Sequence, residues 1–139
     1  MREATKSPRV LVVEDEPDLA TIVQECLREC LRDIAPEIVL TFDFAEAAAV
    51  LAGGAVALVL TDSLYNPTTD QFAERWTRLD HLRALAGPVP VVLSTAYAER
   101  EFADYRDHGI DDLLGRPFEL AMLCAVVRRH LGLAGDAAR

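Results

Sequence analysis

Cysteine, histidine and long apolar runs are all scarce in this 139-residue chain, and each shortage removes a class of protein. Only three cysteines occur, Cys26, Cys30 and Cys124. An odd count, no apolar signal segment after the basic residues near Met1, and no paired spacing predict reduced thiols in a cytoplasmic protein. Cys26 and Cys30 lie four apart on an apolar helix face, which predicts core packing. His81, His108 and His130 are scattered, with no second nitrogen or sulfur donor at ligand spacing, so no zinc site is expected. No stretch approaches the roughly 18 continuous apolar residues of a membrane span. Positive charge is also short: 14 Lys and Arg face 23 Asp and Glu, for a net charge of -9. Such a surface repels nucleic acid and anionic membrane, so neither is an expected partner.

What remains is ordinary globular material, 51% apolar and 27% charged, in a length that suits one domain. Residues 1–8 are read as a flexible N-terminal segment, 9–132 as the domain and 133–139 as a polar tail. Arg9 to Val13 is a short β-branched run that stops at Glu14, Asp15 and Glu16, and Pro17 opens a helix. Leu19, Ile22, Val23, Cys26, Leu27, Cys30 and Leu31 recur at steps of three and four along it. Strands follow at Ile38 to Phe42, Ala57 to Thr61, Val91 to Leu93 and Asp112 to Leu114. Helices are expected from Phe44 to Ala52, and around Phe72, Trp76, Leu79 and Leu82 with Thr68 and Gln71 as a capping box. Another of about a dozen residues should end at Gly109, and the last carries Leu120, Leu123, Val126, Val127 and Leu131. Phe72 and Trp76 are read as core. Five apolar strands alternating with five helices predict an α/β fold, a parallel sheet covered on both faces.

Such sheets bind ligands beyond the carboxyl ends of their strands. The first strand delivers Glu14 and Asp15 there, the third Asp62, the fourth Thr95, and the fifth leads to Arg116. One acidic strand end is ordinarily a solvated cap. Three gathered carboxylates repel one another unless a cation binds them, and an all-oxygen donor set suits Mg²⁺. A carboxylate beside Mg²⁺ can attack phosphorus, with a hydroxyl and a cationic side chain holding the other oxygens. The acids also exclude a flavin reading, which needs a Gly, Ser or Thr phosphate cradle.

Four segments in order carry a family resemblance: VVEDEP (Val12 to Pro17), LVLTD (Leu58 to Asp62), VLSTA (Val92 to Ala96), and GIDD followed by RPF (Gly109 to Phe118). Over nearly its whole length the chain resembles the receiver domain of two-component response regulators. The resemblance implies a doubly wound, flavodoxin-like five-stranded sheet in the order 2-1-3-4-5 with five helices. It implies that Asp62 accepts a phosphoryl group from a sensor histidine kinase or histidine phosphotransfer protein. Mg²⁺ would be held by Asp15, Asp62 and the backbone carbonyl of Leu64, with Glu14 acting through a water. Thr95 would contact the phosphoryl group and couple it to the fourth helix, and the signal would pass to an unknown downstream protein. Receivers often pair through the fourth and fifth helices, so a homodimer is an expectation as well.

Three positions depart from the family pattern. Arg116 replaces the lysine before proline, a planar fork in place of a point charge. Leu113 stands where the switch aromatic is expected, with Tyr97 the nearby candidate to substitute. After Asp62, the proline is Pro67 and Asp70 is followed by Gln71 rather than glycine, so this loop should take its own path. These departures support an alternative, a pseudo-receiver acting as a phosphorylation-independent interaction or dimerisation module. An aspartate-nucleophile phosphohydrolase would need a second acid where Leu64 stands.

Overall fold

In the computed structural model, which describes residues 7–96 and 100–133, five parallel strands form one sheet in the order β2-β1-β3-β4-β5. They are β1 (Arg9–Val13), β2 (Glu37–Thr41), β3 (Val56–Thr61), β4 (Val91–Thr95) and β5 (Asp112–Gly115). Four α-helices cover it: α1 (Pro17–Cys30), α2 (Phe44–Ala52), α3 (Thr77–Ala86) and α4 (Leu120–His130). The topology is the flavodoxin-like one expected from the sequence, with one α-helix fewer among the described residues.

The strands read as unbroken apolar runs because both faces are buried, and the period of two sorts them. Val10, Val12, Leu58, Leu60, Val92 and Leu114 pack on the face covered by α1 and α4, against Val23, Leu27, Leu123 and Val127. Leu11, Val13, Val59, Val91 and Leu93 pack on the other, against Ala47 and Leu51 of α2 and Leu79 and Leu82 of α3. Asp43 caps α2, its carboxylate accepting from the Glu46 N–H at 2.8 Å, while Glu46 reaches back to the Phe42 N–H at 2.7 Å. Just before β1, the Pro8 carbonyl accepts from the Glu37 N–H at 2.9 Å.

Several local expectations are corrected. The third helix begins only at Thr77, after a 3-10 turn at Phe72–Glu74. Thr68 does not cap it, because both its N–H and its hydroxyl donate to the Asn66 side chain. Asn66 and Asp70 close the loop on itself through side-chain bonds to the backbone, and such bonds compete with helix formation. Phe72 is 52% exposed rather than core, whereas Trp76 is buried. Ile22, at helical spacing with its neighbours, points outward with 56% exposure.

The fourth expected helix is not an α-helix among the described residues. Turns at 100–104 lead into a 3-10 helix at Tyr105–His108 that ends on Gly109 with φ +77°. The Glu101 carbonyl, which would close an α-helical turn, accepts from Arg75 Nε at 2.5 Å, and the Tyr105 N–H turns to Phe102 at 3.2 Å. Phe102, fully buried, anchors the segment edge-on to Trp76. Trp76 Nε1 donates to Asp104, and its ring stacks on His108, which also meets Asp80. Among the described residues, the fourth α-helix expected to share a dimer surface is absent.

The expectation of three reduced thiols is also overturned. Cys30 and Cys124 form a disulfide between α1 and α4, and Cys26 alone is free. The two cysteines are 94 residues apart, so spacing gave no sign that adjacent helices bring their Cα atoms to 4.9 Å. Arg128, itself buried, strengthens the same junction by donating to the Cys30 carbonyl and to Asp33. Non-reducing peptide mapping should recover a Cys30–Cys124 crosslinked pair with Cys26 alkylatable. Reduction should then lower the melting temperature, since a disulfide closing a loop of this size typically contributes about 2–4 kcal/mol.

Candidate functional site

The sheet itself assembles the site. β1 lies between β2 and β3 with Val13 opposite both Thr41 and Thr61, so each strand releases its next residue at the same level. The ladder runs one step further: the Glu14 N–H donates to the Thr41 carbonyl at 2.9 Å, and the Asp62 N–H to the Val13 carbonyl at 2.8 Å. Glu14, Asp15 and Asp62 thereby present carboxylate oxygens that all lie within 4.8 Å of one another. Glu14 is 2% exposed, Asp62 is partly buried and Asp15 faces solvent.

Burial is the main influence that pushes the Asp62 carboxyl above its ordinary range, and Asp15 adds to it. Arg116 and the backbone N–H groups of Ser63 and Leu64 pull the other way. Glu14 is likewise raised, chiefly by burial and then by Asp62, against the opposing pull of Arg116. A desolvated cluster of like charges is a place where a cation lowers the energy.

Arg116 supplies one such cation. Its N–H donates to the Thr95 carbonyl at 3.1 Å, which sets the residue at the end of β5 beside β4. Its guanidinium forms an ion pair with Glu14, donates from Nε to Ser94 Oγ at 3.1 Å, and stands 3.8 Å from Asp62. The peptide bond from Arg116 to Pro117 is cis. Thr95 is fully buried at the end of β4. Leu113 is half-buried and packs against the α2–α3 core, and Tyr97 lies outside the described residues.

The loop after β3 takes the separate path its composition predicts. Leu64 adopts φ +60°, a left-handed conformation that costs a non-glycine residue on the order of 1–3 kcal/mol. Its carbonyl accepts from Arg78 Nη1 at 2.6 Å, a partner the sequence did not suggest. A carbonyl oxygen has two lone pairs, so this bond leaves one for a cation. Beside the loop a groove of 520 Å³ is lined by Asp15, Phe42, Phe44, Leu64, Asp70 and Arg78.

The structure thus brings Glu14, Asp15, Asp62 and Arg116 into one cluster, with Thr95 and Leu64 on the adjoining strand end and loop. Sequence reasoning missed Ser94 and Arg78. Ser94 sits next to Thr95 but on the opposite face of β4, and Arg78 looks like any helix-surface arginine. The donor set fits Mg²⁺ on its own chemistry: oxygen only, acidic, and free of nitrogen or sulfur ligands.

Asp62→Asn should test the electrostatics directly. A carboxyl whose folded pKa is raised favours the folded state fully only below its unfolded pKa, and that contribution is lost as pH rises through the folded value. In chelator at neutral pH, the variant should therefore melt a few degrees above the parent chain. The difference should shrink when the pH is lowered through the carboxylate range. A variant melting at or below the parent at neutral pH would show that the carboxylate is not strained by burial.

No protein-family model and no curated protein matches the sequence. Solved structures do match the fold. The receiver domain of the sensor histidine kinase PA1611 from Pseudomonas aeruginosa PAO1, with a magnesium ion in its active-site cleft, superposes with a TM-score of 0.72 at 24% identity, over 91% of this chain and 99% of that one. A response regulator from Thermotoga maritima gives 0.72 at 18% identity, with the same two coverages of 91% and 99%. The Vibrio cholerae chemotaxis protein CheY4 gives 0.70 at 19%, covering 89% and 98%. The chain has the receiver fold.

Proposed function

We propose that residues 9–132 form a two-component response regulator receiver, which takes a phosphoryl group onto Asp62 from a phosphohistidine of a sensor histidine kinase or phosphotransfer protein. The observation that carries this reading is the cluster of Glu14, Asp15 and Asp62 oxygens within 4.8 Å of one another, with Arg116 beside them. A receiver of the same fold holding magnesium in its cleft supports it.

An Asp62 oxygen attacks phosphorus, the phosphorus–nitrogen bond breaks, and the imidazole leaves with that bond's electrons. The product is an acyl phosphate on Asp62. The Ser63 and Leu64 N–H groups favour the ionised form of the attacking carboxylate, and charge stabilisation and positioning do most of the work in phosphoryl transfer. Asp15, Asp62 and the Leu64 carbonyl are the ligands we assign to Mg²⁺, with Glu14 acting through a water. When bound, Mg²⁺ neutralises charge on the transferring group. In this reading Arg116 meets a phosphoryl oxygen once its guanidinium turns from Glu14, and Thr95 donates its hydroxyl to another. The domain is a phosphoacceptor rather than an enzyme acting on a separate substrate, and its output is contact with a further protein. With Leu113 at the position of the switch aromatic, that output depends on Thr95, with Tyr97 the sequence candidate to take the aromatic's part.

Among the described residues no helix is long and apolar enough to cross a membrane. A cytoplasmic site accords with a kinase partner.

Incubation with Mg²⁺ and acetyl phosphate should add one phosphoryl group by intact mass, and Asp62→Asn should add none. Asp15→Asn should raise the Mg²⁺ needed for half-maximal labelling by about 10-fold or more, as loss of a ligand or its support usually does. A parent chain that neither labels nor binds beryllofluoride, followed by Trp76 fluorescence, would favour the interaction-module reading. The arginine held against Glu14 and the leucine at position 113 are the features that would then explain it.

A further inference from the structure

Arg78 stands in the first turn of α3, 49% exposed, and would pass for a solvated surface charge. Its contacts say otherwise. Nη1 donates to the Leu64 carbonyl at 2.6 Å and to Asp70 Oδ2 at 3.1 Å. Asp70 Oδ2 in turn accepts from the Asn66 N–H at 2.9 Å, and Asp70 is held well below its ordinary range, first by Arg78. One guanidinium therefore ties both ends of the loop between Leu64 and Asp70. Leu64 itself stands two residues after Asp62, on the backbone that leads directly from the candidate phosphoacceptor. Leu64 has φ +60°, which a side-chain-bearing residue holds only when its surroundings enforce it.

We propose that Arg78 is a positioning residue for Asp62, acting through Leu64: it holds the Leu64 carbonyl and so fixes the backbone that aims the phosphoacceptor carboxylate. The inference rests on the phosphoacceptor reading above. The planar fork suits the role because two acceptors, a carbonyl and a carboxylate, are met from one group. Asp70 keeps that fork in place. Without the guanidinium, Leu64 is free to leave its left-handed conformation, and the backbone leading from Asp62 turns with it. An exposed ion pair contributes little to stability, so the effect should appear in reaction rate rather than in melting temperature.

The test compares the parent chain, Arg78→Ala, Arg78→Lys and Asp70→Asn, each labelled with acetyl phosphate at saturating Mg²⁺ and followed by intact mass. Arg78→Ala should lower the maximal labelling rate by about 10-fold or more, in keeping with the cost of misplacing a reacting group. The acetyl phosphate concentration for half-maximal rate and the melting temperature should stay near parental. Arg78→Lys, which can reach one acceptor but not both, should fall between, and Asp70→Asn should lose several-fold. Added guanidinium ion at millimolar concentration should restore part of the rate to Arg78→Ala and leave the parent unchanged. A parent that labels while Arg78→Ala labels at the same rate would overturn the positioning role and leave the phosphoacceptor reading standing. Loss of rate that tracks a fall in melting temperature across all three variants, without guanidinium recovery, would overturn it too. A parent that does not label removes both.

Discussion

Two carboxylates, Glu14 and Asp62, leave neighbouring strands at the same level and are held out of water there. Hydrogen-bonded ladders on both sides of β1 fix their separation, so the repulsion between them cannot be relieved by moving apart. It must be met with positive charge. The first answer lies within the chain: Arg116, carried to the edge by β5 and gripped by Ser94 and Glu14. The second is a hard cation among oxygen ligands, which the solvent-facing Asp15 leaves room to admit. The chemistry proposed for Asp62 follows from this unresolved charge.

Arginine at position 116 changes how that charge is met. A lysine would offer one mobile ammonium, whereas the guanidinium spreads its donors over Ser94, Glu14 and the approach to Asp62. Its Nε contact to Ser94 is one no lysine could copy. Ser94 reaches Arg116 only because alternation along β4 puts it on the face opposite Thr95. The two neighbours thus serve the site from different sides of the sheet.

Side chains of α3 and of the two residues just before it tie together the parts of the molecule that the sheet does not. Arg75 takes the Glu101 carbonyl, Trp76 and Asp80 grip Asp104 and His108, and Arg83 bonds Asp111. Together these contacts hold the 100–111 segment in turns and a 3-10 helix instead of the α-helix its length suggested. Arg78 reaches in the other direction, to the loop beside Asp62. A single short helix therefore touches both the candidate site and the segment that stands where a fourth helix was expected.

The sequence by itself determined the parallel sheet and its order of elements. Continuous apolar runs such as Val10 to Val13 and Leu58 to Thr61 can be satisfied only by burial on both faces, and the acids at their ends mark the site edge. Pro17 marked a helix start because its ring fixes φ at a helical value and its missing N–H is not needed in the first turn. Tertiary structure decided everything that depends on partners distant in the chain. The Cys30–Cys124 crosslink, the grip of Arg116 on Glu14, the Arg78 bond to Leu64 and the loss of helix near Glu101 join residues from 14 to 102 positions apart. Local periodicity carries no information about such pairs. Asp62 could be picked out early because strand ends converge by topology, but what surrounds its carboxylate is set by side chains whose neighbours exist only once the helices have packed.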